Sequence, residues 1–146
     1  MIDANAELVA FIETCSDEEW GRVTESEGWR VGVVAHHIAW GHEVAAGWIR
    51  TIRGGDDVPG SPEMHDAGNQ AKAAEVAAIT REDVVELANR NVAALAELLR
   101  SLDEEDLNKT GKFGPAGGRE MSVDRLAGAR GHLDGHLVSI RSALGR

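Results

Sequence analysis

The sequence predicts an all-α fold, an antiparallel four-helix bundle with a short extra helix between its second and third long helices. Three observations carry this reading. Alanine and leucine are plentiful while proline occurs three times and tyrosine is absent, which favours helices over strands. Apolar residues recur at spacings of three and four in four long segments, and residues suited to helix ends stand at their borders. At 146 residues the chain suits a single domain, residues 1–146, with one real core.

In the first segment Leu8, Phe11, Ile12 and Cys15 fall on one helical stripe, which ends near Ser16, where "SDEEW" forms a capping box with Glu19. The second runs from Val31 to Arg53. Its inward stripe reads Val34, His37/Ile38, Gly41, Val44/Ala45, Trp48 and Ile52, and "GGDD" supplies a terminating glycine. Ser61 and Pro62 form an N-cap and first position for the short helix through "EMHDAGNQAKAAEVA". Thr80 caps the third long helix, whose seam reads Val85, Ala88, Val92, Leu95, Leu99 and Leu102. Between Asp103 and Glu120 the chain is polar and glycine-rich, a surface loop with at most a hairpin-like excursion. Ser122 caps a fourth helix expected to continue almost to the C-terminus.

A formal net charge of −10 repels phosphate backbones and anionic lipid, so neither nucleic acid nor a membrane is an expected partner. The single cysteine, Cys15, cannot form an internal disulfide. "MIDANAELVAFIE" carries acids where a leader needs bases, and no apolar run reaches the ~18 to 20 residues of a membrane span. A cytoplasmic protein is expected.

Sites in helical bundles are built from side chains on facing helices. In "GHLDGHLVSIR", His132 and His136 lie about 40° and 6 Å apart on one side of a helix and can share one ion. Leu126, Leu133, Leu137 and Ile140 flank them on one side. On the other side Gly128, Gly131 and Gly135 read as space for a helix or a ligand, which would compensate their cost of roughly 0.5 to 1 kcal/mol each. In "WRVGVVAHHIAWGHE", His37 falls on the inward stripe of the second helix. If that helix neighbours the fourth, His37 joins the pair in a three-imidazole site with open coordination positions, suited to Zn²⁺, Ni²⁺ or Fe²⁺. The plainer alternative is three core histidines satisfied by ordinary neighbours. His36 and His42 read as helix-flank or helix-contact residues, and His65 as a surface residue or part of a pocket mouth.

"GWRVGVVAHHIA" resembles the second-helix signature of the DinB-like superfamily, bundles that include YfiT-type proteins and the N-terminal domain of mycothiol-dependent maleylpyruvate isomerase. Counting from Trp29 places the family's histidine at His37. "GHLDGHLVSIRSAL" resembles the family's last-helix motif, and "DAGNQAKA" its segment between the second and third helices. The resemblance implies a divalent ion held by His37, His132 and His136, and a homodimer. For the thiol-dependent branch it implies an S-transferase, isomerase or hydrolase acting on a small electrophile with mycothiol or another low-molecular-weight thiol. One departure stands out: the isomerase branch commonly has glutamate where this chain has His132.

Arg125, placed on the histidine stripe roughly 10 Å before His132 if one helix spans both, is a candidate to pair with a substrate carboxylate. Asn69 and His65 are candidate substrate contacts, and Asp66 is either an orienting group or a solvated one. Trp29, Trp40 and Trp48 read as core or interface aromatics. Two other functions fit the same residues: a binding module that sequesters a toxic small molecule without turnover, as in self-protection proteins, and a structural dimer.

Overall fold

The computed structural model describes residues 2–129 and 131–145, with the side chains of residues 2–4, 131 and 132 outside the description. In chain order the elements are α1 (Ile2–Thr14), α2 (Asp17–Gly21), α3 (Val31–Arg53), α4 (Pro62–Glu75), α5 (Arg81–Arg100), α6 (Glu104–Asn108), β1 (Thr110–Phe113), β2 (Arg119–Ser122), α7 (Val123–Ala127) and α8 (Gly131–Leu144). The chain is mostly helical, and the excursion expected after Asp103 holds a short helix and a two-stranded antiparallel hairpin in which Thr110 faces Ser122.

Local chemistry sets the borders. The Ser16 side chain accepts from the Glu19 amide while the Glu19 carboxylate accepts from the Ser16 amide. Ser61, Thr80, Asp103 and Ser122 each accept from an amide three residues on. Each such cap satisfies an orphan donor of the first turn, worth about 1 kcal/mol. α3 stops where expected: Gly54 caps it, and Gly55 takes φ +92, open to a residue without Cβ.

α1, α3, α5 and α8 surround a common core of Leu8, Ile12, Ile38, Val84, Leu137 and Ile140 among others. An all-antiparallel arrangement does not hold. Asn91 Nδ2 donates to the Ala39 carbonyl at 3.1 Å and Arg53 Nη1 donates to Ser101 Oγ at 3.2 Å, so both partners advance together and α3 and α5 run parallel. The reason is the crossover between them. His65 of α4 lies against Trp48, with ring centroids 5.5 Å apart, and Gln70 accepts from Trp29 Nε1 at 3.1 Å, so α4 travels back along α3. The Ile79 carbonyl then accepts from Trp20 Nε1 at 3.1 Å, and α5 starts from the end where α3 started.

The fourth long helix is also shorter than expected. α7 ends at Gly128, its C-cap, and α8 begins anew at Gly131, so the segment from Ser122 onward is two helices. A second apolar cluster, with Ala46, Ile49, Ile52, Leu95, Leu98 and Phe113, fills the far end beside the hairpin. There Gly114 passes so close to the 58–60 loop that an added Cβ would come within 2.5 Å of the Gly60 carbonyl oxygen. Only glycine allows that approach, which closes one wall of the cavity described next.

Candidate functional site

α3 and α8 carry histidines at the same level of the core. The rings of His37 and His136 meet edge-on with centroids 4.8 Å apart. Two imidazoles sharing a tetrahedral ion through bonds of about 2.0–2.1 Å have centroids roughly 5 Å apart, so this spacing suits joint ligation. The side chain of His132 lies outside the described residues. Among the described residues no three His, Cys, Asp or Glu side chains form a group able to hold an ion.

A carboxylate stands behind the pair. Glu27 Oε1 is 2.8 Å from His136 Nδ1, and Ser139 Oγ donates to Glu27 Oε2 at 2.5 Å. Burial pushes the Glu27 carboxyl up, but hydrogen bonds from Ser139, His136 and Thr24 outweigh it and hold the group below the usual glutamate value. An ionised carboxylate only accepts, so the proton of this contact belongs to His136 Nδ1, and a neutral ring then carries its lone pair on Nε2. Carboxylates that fix a ligand's tautomer in this way are a regular support of histidine metal sites.

Glu27 owes its position to a tight loop. Val23 and Arg30 form an antiparallel bridge, the Thr24 amide donates to the Trp29 carbonyl at 2.8 Å, and Gly28 takes φ +69. Sequence reasoning missed this residue, because an acid in "ESEG" looks like a solvated turn. The one local signal was Gly28, which marks a turn without saying which way its neighbour points.

His37 also heads a cavity of about 340 Å³. Trp40, Val44 and Trp48 project into it from α3 at one-turn intervals; Phe113 and Pro115 come from the hairpin region, Leu126 and Leu133 from α7 and α8. His65 and Asn69 line the same space, with Asn69 Nδ2 3.3 Å from His65 Nε2. The volume falls in the usual range for small-molecule sites. Trp29, by contrast, sets its ring edge-on to His37 at 5.5 Å.

Other expected residues stand elsewhere. Arg125 is exposed on α7, and the break at Gly128 removes the continuous helix that would have aligned it with His132. Asp66 is exposed. His36 is buried beside Lys72 and Glu75 of α4, and burial, then the Lys72 charge, lowers its pKa. Of the two readings, helix flank or helix contact, burial agrees with the second: His42 is fully buried in the core. Of the three glycines read as a groove, Gly128 ends α7 and a Cβ at Gly135 would meet nothing within 4 Å, so neither makes a close helix contact, while the surroundings of Gly131 lie outside the described residues. Gly135→Ala is therefore expected to raise unfolding free energy by about 0.5–1 kcal/mol in urea titrations.

A mostly helical fold with imidazoles from two facing helices at the head of an apolar cavity defines a recognisable class of protein. Residues 2–137 match the family model of the DinB superfamily, and the chain belongs to that superfamily. Its fold is similar to a crystal structure of a mutant of the mycothiol-dependent maleylpyruvate isomerase, at a TM-score of 0.65 and 15% identity over 96% of this chain. The chain spans about half of that protein, 53% of its length. Among curated proteins, none matches. No helix of the described residues is long and apolar enough to cross a membrane.

Proposed function

We propose that this protein is a divalent-metal-dependent enzyme that joins a low-molecular-weight thiol, or water, to a small electrophile. The observation that carries the reading is the convergence of His37 and His136, with Glu27 fixing the second ring, at the head of a partly open, mostly apolar cavity. His132, one turn before His136, completes the ligand set in this reading. Bound there, a divalent ion would lower the pKa of a thiol or water and so supply a nucleophile at neutral pH. The chain's own residues do the rest: Glu27 holds His136 in one tautomer, Trp29 and Trp40 flank His37, and the cavity walls give the electrophile a mostly apolar surface.

Superfamily membership supports the metal, and the name of the structural neighbour supports a thiol such as mycothiol. Isomerisation is not part of the proposal, since His132 replaces the glutamate common in that branch. A homodimer in the cytosol belongs to the same reading. The test is a screen of thiols against electrophiles with metal-loaded protein, with and without chelator, together with elemental analysis. Repeated turnover that the chelator abolishes is the expected result. Capture that stops once every site is filled would make the protein a sequestering module, and protein purified from metal-supplemented medium without a stoichiometric ion would leave only a structural histidine cluster.

A further inference from the structure

We infer that the substrate is an uncharged, flat, apolar electrophile of about the size of a substituted benzene ring. This deepens the function proposed above and rests on it. The walls are the reason. Trp40 and Trp48 stand two turns apart on α3 with Val44 between them, and the Phe113 ring closes edge-on against Trp48 at a centroid distance of 4.8 Å. These side chains line the space with aromatic and aliphatic surface, against which a planar guest gains contacts beyond simple burial. A carboxylate at the Trp48 end, two turns from the Trp40 ring that Lys72 Nζ approaches to 5.8 Å and roughly 16 Å of helical rise from an ion at His37, exchanges its hydration shell for indole and alkyl surface with neither cation close enough to offset the loss. Besides the indole N–H groups of Trp40 and Trp48, the polar side chains in the described lining are two imidazoles, His37 and His65, and the Asn69 amide. His65 and Asn69 lie within hydrogen-bond reach of each other, so they can orient one neutral acceptor or donor on the guest, such as a nitro or carbonyl group.

Size agrees with polarity. About 340 Å³ holds one ring with its substituents and room for a thiol approaching from the His37 end, at the lower limit of ordinary ligand sites. His37 and Trp48 are separated by roughly 16 Å of helical rise, so a guest stacked near Trp48 leaves the histidine end clear for the second reactant.

The decisive measurement uses a matched pair with no leaving group, so that binding is read without turnover: 1,3-dinitrobenzene against 3,5-dinitrobenzoate, titrated calorimetrically into the chelator-treated full chain. The neutral compound is expected to bind at least ten-fold more tightly, and Ala45→Phe or Val44→Phe, each filling the cavity from α3, to cut that binding at least ten-fold with helical content unchanged. Benzoate binding as tight or tighter overturns the inference, as does absence of dinitrobenzene binding up to its solubility limit, or binding that both filled variants retain. The thiol screen fails independently: a protein that prefers the neutral ring yet turns nothing over keeps this inference and loses the enzymatic reading.

Discussion

His136→Ala is expected to yield protein without a stoichiometric divalent ion and without activity while its helical circular dichroism is retained, and Glu27→Ala to weaken ion binding about 10- to 100-fold. The two effects differ because the residues act differently. Residue 136 supplies a ligand atom in the proposed site. Glu27 supplies none; it accepts from Nδ1 at 2.8 Å and so holds the ring with Nε2 as the basic nitrogen. Without the carboxylate the ring samples both tautomers and more orientations, and binding must first select one. Glu27→Gln keeps the shape and an acceptor oxygen but loses the charge, and is expected to fall between wild type and alanine. A second readout separates positioning from mere packing: nitrogen NMR of the metal-free protein should show His136 with its proton on Nδ1 in wild type and a tautomer mixture in Glu27→Ala. Unchanged ion affinity with an unchanged tautomer would show that the carboxylate only fills space.

What the sequence made legible follows from how local each feature is. The span of α3, the box at Ser16 and Glu19, and the caps at Ser61, Thr80 and Ser122 depend on residues within one turn, and the structure shows each of them. The seam of α5 was read in part: Ala88 and Leu95 are buried as expected, and the helix's other positions fall one residue off. Its buried line is Val84, Ala88, Asn91, Leu95 and Leu98, while Val85, Val92 and Leu99 are half-buried flanks. A polar residue at the centre of the seam shifted the apolar pattern sideways. On α3 the stripe through Gly41, Val44 and Trp48 faces the cavity, and the core face passes instead through Ile38, His42, Ala46 and Ile49. Helix direction and the inward turn of Glu27 are set by contacts across dozens of residues, and no short periodicity encodes them. The meeting of His37 with His136 was readable only as far as each lies on a helix and the two helices face one another.

His42 is expected to make the fold sensitive to acid by about 3 kcal/mol, with about 2 kcal/mol lost by pH 5. Its side chain is fully buried and neither ring nitrogen has a hydrogen-bond partner among the described residues. It lies on α3 between Ala39, which belongs to one apolar cluster, and Ala46, which belongs to the other. Asn91 takes the matching place on α5, between Ala88 and Leu95, and spends its amide on the Ala39 carbonyl. Burial penalises the imidazolium and lowers the His42 pKa from 6.5 to about 4. Between those values the unfolded chain holds a proton that the folded chain refuses, so stability falls as pH drops through 6.5 and the loss is complete below about 4. Carboxylates titrate over part of the same range, so the contribution is read as a difference: urea unfolding of wild type and His42→Leu at pH 7 and pH 5. Leucine has similar bulk and no polar atoms, so the variant should be more stable at pH 7 by about 1–3 kcal/mol, the cost of unsatisfied buried polar groups. The gap should widen by about 2 kcal/mol at pH 5. A gap that stays constant between the two pH values would mean that the ring gains its proton inside the fold, with a partner supplied from its surroundings.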